Sequence, residues 1–267
     1  MAITTLDGWI AASKQKCLWQ KTATRTTVAN AWFSMFEIAG DPGAGTLAVG
    51  NTANGVVPTD ATAGYPIINT FGGSAVGYLG RVHCSNTIAG TRIQLFDKVF
   101  AAGAYAFNAA TTLASQPSYS GRMPSGPDYA GTEIWIEAVT AFTGIPSFAV
   151  TYTNQSGTTA RTTGTVSAGI ALTVGRMMQM PLQSGDSGVQ KIESVTGTVA
   201  TVGTFNVYVL RQLSNVWIGN AGESKTQNML DTGMPVVFDT SAFFPIIMTT
   251  SGTSSGTPTC DFDVING

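Results

Sequence analysis

Apolar residues fall in short runs parted by Gly, Pro and Asn, and almost nowhere recur at helical spacing. Residues 32–38 form an aromatic run that stops at Gly40-Asp41-Pro42-Gly43, a strong turn signal. Residues 92–100 mix apolar and polar positions at strand length. Residues 134–139 and 148–153 read as two strands joined through Gly144-Ile145-Pro146, with a turn at Asn154-Gln155-Ser156-Gly157. Further strand candidates are 177–182, 189–198, 205–210, 236–238 and 244–250. Residues 260–264 alternate, which puts Asp261 and Asp263 on one face and Cys260, Phe262 and Val264 toward a core. Stretches 40–75 and 114–131 are rich in small and turn-forming residues and read as long loops. Many short strands without long helical periodicity predict an all-β fold, a jelly-roll-like β-sandwich.

The N-terminus is patterned differently. Asp7 is a candidate N-cap, and Trp9, Ile10, Ser13 and Cys17 follow at roughly helical spacing, which predicts a short amphipathic helix over 7–20. The chain then divides into a helix or arm (1–27) and β modules at 28–140 and 141–267, or one continuous β domain over 28–267. A faint echo between 78–96 and 189–210 motivates the two-module division. Lys14, Lys16, Lys21 and Arg25 against Asp7 make the first 25 residues +3, while the remainder is −5. Clustered positive charge suits an acidic partner surface, and exposed aromatics are strong interface anchors. Trp9, Ile10, Lys14, Lys16, Leu18, Trp19 and Lys21 are therefore the candidate interface residues, on an arm expected to leave the β body.

Composition narrows the function classes. Charged residues make up only 10% of 267, against about 25% in typical soluble domains. A net charge of −2 gives no general attraction to phosphate, which argues against nucleic-acid binding. So few surface charges favour association, which suits a protein that works inside an assembly. No uninterrupted apolar run is long enough for a membrane helix, and residues 1–10 lack the pattern of a secretion signal. Cys17, Cys84 and Cys260 are odd in number and widely spaced, and they read as inert thiols of a reducing compartment. With His83 as the only histidine and no paired-cysteine spacing, no metal or other cofactor is expected.

One motif invites a catalytic reading. Gly185-Asp186-Ser187-Gly188 resembles the nucleophile tetrapeptide of trypsin-like proteases, and His83 with Asp97 or Asp128 would give the matching chain order. The Gly-Pro continuation of that family is missing, because Val189-Gln190 follows. Gly, Asp and Ser are also what a turn between strands selects, so the turn is the expected reading and no catalytic residue is assigned. Glu133 and Glu137 share one strand face and read as a solvated edge. Trp32, Phe36, Phe96, Trp135, Phe148 and Tyr208 sit inside strands and read as core.

Residues 138–144, 151–157 and 161–163, with 182–189 running into 192–195, resemble structural proteins encoded in the head-gene region of tailed bacteriophages. The resemblance implies a non-enzymatic virion component assembled in the host cytoplasm, such as a head-decoration, cement or capsid-associated protein. The partners it implies are the major capsid protein, other virion proteins or further copies of the chain, with a trimer as the expected oligomer. It carries over no catalytic residue. A tail or glycan-binding receptor module is the alternative, and a trypsin-like hydrolase the remote one.

Overall fold

The computed structural model describes residue 3 and residues 5–49, 53–72, 76–198 and 201–266. Residues 1, 2 and 4 of the expected arm, and 50–52 and 73–75 of the expected first loop, lie outside the described residues. Helix α1 (Leu6–Ala11) leads into β1 (Ser13–Lys21), β2 (Ala31–Ser34) and the two-residue β3 (Gly40–Asp41). After a long loop come β4 (Val76–Ser85), β5 (Thr91–Ala106) and β6 (Thr111–Thr112). Then follow β7 (Thr132–Ala138), β8 (Ser147–Asn154), β9 (Arg161–Thr162) and β10 (Val166–Ser167). Next are β11 (Arg176–Met180), β12 (Val189–Thr198) and β13 (Thr204–Ile218). The last elements are β14 (Ser224–Gln227), α2 (Met229–Thr232), β15 (Val236–Phe238), β16 (Phe243–Thr249) and β17 (Thr259–Asn266).

The fold is all-β, as the sequence pattern predicts. At its centre β11-β2-β16-β5-β13-β7 close into an antiparallel barrel that alternates strands from both sides of residue 140. A sheet ordered β14-β4-β17-β1-β3, with β15 beside β4, packs on the barrel's outer wall. Trp19, Leu79, Val82, Phe262 and Val264 meet Phe33, Ile93, Leu95, Val216 and Ile247 in that seam. The sheet β10-β8-β12-β6, with β9 on β8, covers another part of the wall, where Phe148, Val150, Ile192 and Val195 meet Ile134, Ile136, Phe205 and Val207. Barrel strands are thus buried on both faces, so they read as near-continuous apolar runs rather than clean alternation.

The two longest strands serve both seams. Register shifts along the β5–β13 pair, between Val209 and Leu210 and between Gln212 and Ser214, re-aim the side chains. Phe205, Val207 and Val209 therefore enter one seam, while Leu213, Val216 and Ile218 enter the other. The alternation expected for β17 holds, with Cys260, Phe262 and Val264 buried and Asp261 and Asp263 half-exposed.

The N-terminal segment departs from expectation. The helix ends at Ala11, and its cap is Thr5, whose Oγ1 accepts from the Gly8 N–H at 3.0 Å, rather than Asp7. Residues 13–21 are a strand, paired with β17 from Ser13 opposite Asn266 to Gln20 opposite Thr259. A full non-local ladder and a buried face outweigh the local helical spacing, because helix propensity is a weak preference that tertiary pairing overrides. The cysteine reading is corrected as well. Cys84 and Cys260, 176 residues apart, face each other across β4 and β17 with Cα atoms 4.1 Å apart and form a disulfide. Cys17 remains a buried free thiol, pushed up to about 12 chiefly by burial, which keeps it unreactive.

Candidate functional site

The barrel interior is built in layers. Strands β2, β5 and β7 run in one direction, so each step of two residues moves one layer along the axis. Trp32, Phe96 and Trp135 make an aromatic layer with edge-to-face contacts at 6.2 and 5.8 Å. Two residues further on, the same strands place Ser34, Lys98 and Glu137, and β13 contributes Tyr208 and Asn206. All five are buried.

The Ser34 and Tyr208 hydroxyls both donate to the Glu137 carboxylate. Asn206 Nδ2 donates to Tyr208 OH and to the Leu47 carbonyl, each at 2.7 Å, while its Oδ1 has no partner. Burial pushes the Glu137 carboxyl up, and the Lys98 charge and the two hydroxyls pull against it. Lys98 is 2% exposed. Its Nζ stands over the rings of Phe244 at 3.5 Å, Tyr208 at 3.9 Å and Phe36 at 4.7 Å. Burial lowers its ammonium to about 7, against the opposing pull of Glu137. This layer opens into a cavity of about 290 Å³ at the barrel mouth, roofed by residues 46–49 and 56–65.

On the opposite face of β5, Asp97 is fully buried and anchors a second polar cluster. Arg122 and Arg211 both donate to it, with Ser241 Oγ at 2.9 Å and the Ala242 N–H at 3.0 Å. An acceptor so fully used is a structural hub, which removes Asp97 from any triad. His83 and Ser187 are not brought together. His83, on β4, pairs its ring with Thr226 Oγ1 at 2.7 Å, whereas Ser187 lies in the turn leading to β12 in the other flanking sheet. The turn is held by Asp186, which accepts from Tyr152 OH, Asn154 Nδ2 and Arg161 Nε at 2.7, 2.7 and 2.9 Å. The Arg161 guanidinium, with those two donors, lowers its carboxyl to about 2.

Of the expected interface residues, Trp19 and Lys21 are buried at 2% and 1% exposure. Both point into the seam under β1, so they are core, because every second side chain of this strand faces the barrel. Lys21 Nζ donates to the Ile38 carbonyl at 3.0 Å, and burial lowers its ammonium to about 8. Ile10, Lys14 and Lys16 are exposed, while Trp9 and Leu18 are half-buried. Lys14 Nζ lies 4.7 Å over the Trp9 ring and donates to the Trp9 carbonyl at 2.8 Å, fastening the helix to the start of β1. Of the aromatics read as core, Phe36, Phe96, Trp135, Phe148 and Tyr208 are buried and Trp32 is half-buried.

Sequence reasoning missed the site because Glu137 reads as a solvated edge when only one face of β7 is thought buried. The available signal was its place in the otherwise apolar run 134–139, which marks a strand covered on both sides.

No protein family matches the chain, and no curated protein does. Among solved structures, infectious bursal disease virus proteins align over nearly the whole chain. One, titled "The 2.6A structure of Infectious Bursal Virus Derived T=1 Particles", is 8% identical at a TM-score of 0.17 over 96% of this chain and 78% of that one. Another, the virus's VP2 subviral particle, is 9% identical at a TM-score of 0.19 over 96% and 80%. Similarity at this level defines no shared fold.

Proposed function

We propose that this chain is a non-enzymatic structural component of a virus particle, a capsid-associated or decoration protein that works as an oligomer on a phage-type shell. The observation that carries this reading is a surface starved of charge. Only 28 of 267 residues are charged, and Lys21, Asp97, Lys98, Arg122, Glu137 and Arg211 are withdrawn into the interior. Large apolar side chains stand outside instead, including Leu6 at 57%, Ile10 at 60%, Val202 at 71% and Leu230 at 82% exposure. Low charge and exposed apolar groups favour burial against other subunits. The resemblance of the turn-and-strand segments to tailed-phage head proteins supports the same assignment. In this reading Trp9, Ile10, Lys14, Lys16 and Leu18 form the contact face on sheet β14-β4-β17-β1-β3, and the seam residues Trp19 and Lys21 take no part.

Two measurements test it. Native mass spectrometry at micromolar concentration should show a closed homo-oligomer, a trimer on this reading. Antibodies against the chain should decorate the heads of intact particles. Monomer alone, together with particles left unlabelled, overturns the assignment; labelling confined to tails favours the receptor-module alternative.

A further inference from the structure

We propose that the cavity at the barrel mouth is a binding site for a small monocarboxylate with an apolar body, its carboxylate received by Lys98. The cavity, about 290 Å³, lies just below the usual size range of ligand pockets, which suits only a small ligand. Phe36, Leu47, Val56, Tyr65 and Tyr208 make its wall mostly apolar, and Lys98 supplies the cation.

Lys98 differs from the other buried cations. Lys21 reaches a backbone carbonyl, while Arg122 and Arg211 reach Asp97. Among the described residues, Lys98 Nζ has no hydrogen bond and no carboxylate within ion-pair distance, only ring faces. Glu137, whose charge acts on Lys98, lies beyond ion-pair distance and takes its hydrogen bonds from the Ser34 and Tyr208 hydroxyls. Aromatic faces stabilise an ammonium without accepting its protons along directed hydrogen bonds. A buried donor with three N–H bonds, facing an apolar cavity, lacks an oxygen acceptor. A carboxylate supplies that acceptor with charge assistance, and its apolar remainder matches the wall.

Isothermal titration of the full chain with benzoate and hexanoate, against benzamide and hexanamide, tests the assignment. One acid should bind per chain, with the matching amide weaker by about tenfold or more, since charge-assisted hydrogen bonds are roughly twice as strong as neutral ones. Lys98→Met should abolish binding. Ala48→Phe, at the exposed rim of the cavity, should block it while leaving Lys98 in place and the circular dichroism unchanged. No saturable binding of either acid, equal affinity for acids and amides, or binding that survives Lys98→Met overturns the proposal. If Lys98→Met does not fold, undiminished binding in Ala48→Phe overturns it alone.

Discussion

The inside of the barrel and the seams outside it bury the same strands by different means. In the seam under β8 and β12, rings pack on rings: Phe148 lies 4.9 Å from Phe205 and 5.3 Å from Phe107, with no charge among them. Inside, a layer of rings is followed by a layer holding Lys98, Glu137, Asn206 and Tyr208. The seam depends on volume and tolerates any close-packed apolar set, whereas the interior polar layer depends on particular hydrogen bonds. The polar layer and the Asp97 cluster are thus where single atoms matter, and the seams are where whole side chains do.

The largest expected effect breaks the Asp97 hub. Asp97→Ala leaves Arg122 and Arg211 buried without their carboxylate and should cost about 3–5 kcal/mol in urea unfolding. Phe148→Ala should cost about as much, some 3–5 kcal/mol, through a cavity in the seam. Adding a small apolar ligand such as benzene should recover part of the loss in Phe148→Ala and none in Asp97→Ala. A failure of that contrast would erase the distinction between sites held by directed hydrogen bonds and sites held by packed volume.

Lys98→Met should stabilise the apo protein by about 1–4 kcal/mol at pH 6, because it removes the cost of burying an unpaired ammonium, about 1.4 kcal/mol for each unit its value is lowered. The sign follows from linkage. The folded-state value near 7 lies below the ordinary 10.5, so the cost of burying the ammonium is complete below pH 7. Between pH 7 and 10.5 the unfolded chain holds the proton more than the folded one does, and the stability of the unaltered protein rises. The advantage of Lys98→Met should therefore shrink toward zero as pH approaches 10.5, read from melting midpoints across that range.

Smaller still is the Asp186 turn. Its carboxyl is lowered from 3.8 to about 2, so the stabilisation is present above pH 4 and lost as pH falls toward 2. Asp186→Asn should flatten that part of the acid-unfolding curve followed by tryptophan fluorescence. The smallest effect belongs to Lys16→Glu, an exposed position where stability should stay within about 0.5 kcal/mol. The same substitution tests the proposed particle attachment without disturbing the fold.

How much of this was legible in the sequence depends on how local the cause is. Strands β8, β12 and β17 are found almost to the residue, because apolar runs bounded by Gly and Asn turns are local signals. The strand character of residues 13–21 was hidden, because it exists only through β17, and so was the Cys84–Cys260 pair, which lies on the same sheet. The Asp186 turn was readable from residue types alone. The cavity was not. It needs Phe36, Val56, Lys98 and Tyr208 from four separated segments, which only the closed fold brings together.

The pairing of β1 with β17 also fixes an order of events during synthesis. The long ladder along β1 cannot form until residues 259–266 have emerged, roughly 240 residues later. At about 5–20 residues per second, that leaves the first strand waiting some 12–48 seconds on the ribosome. Throughout that interval β1 has only the two-residue β3 to pair with. The sheet that carries Lys14 and Lys16 is therefore completed only when its last strand arrives.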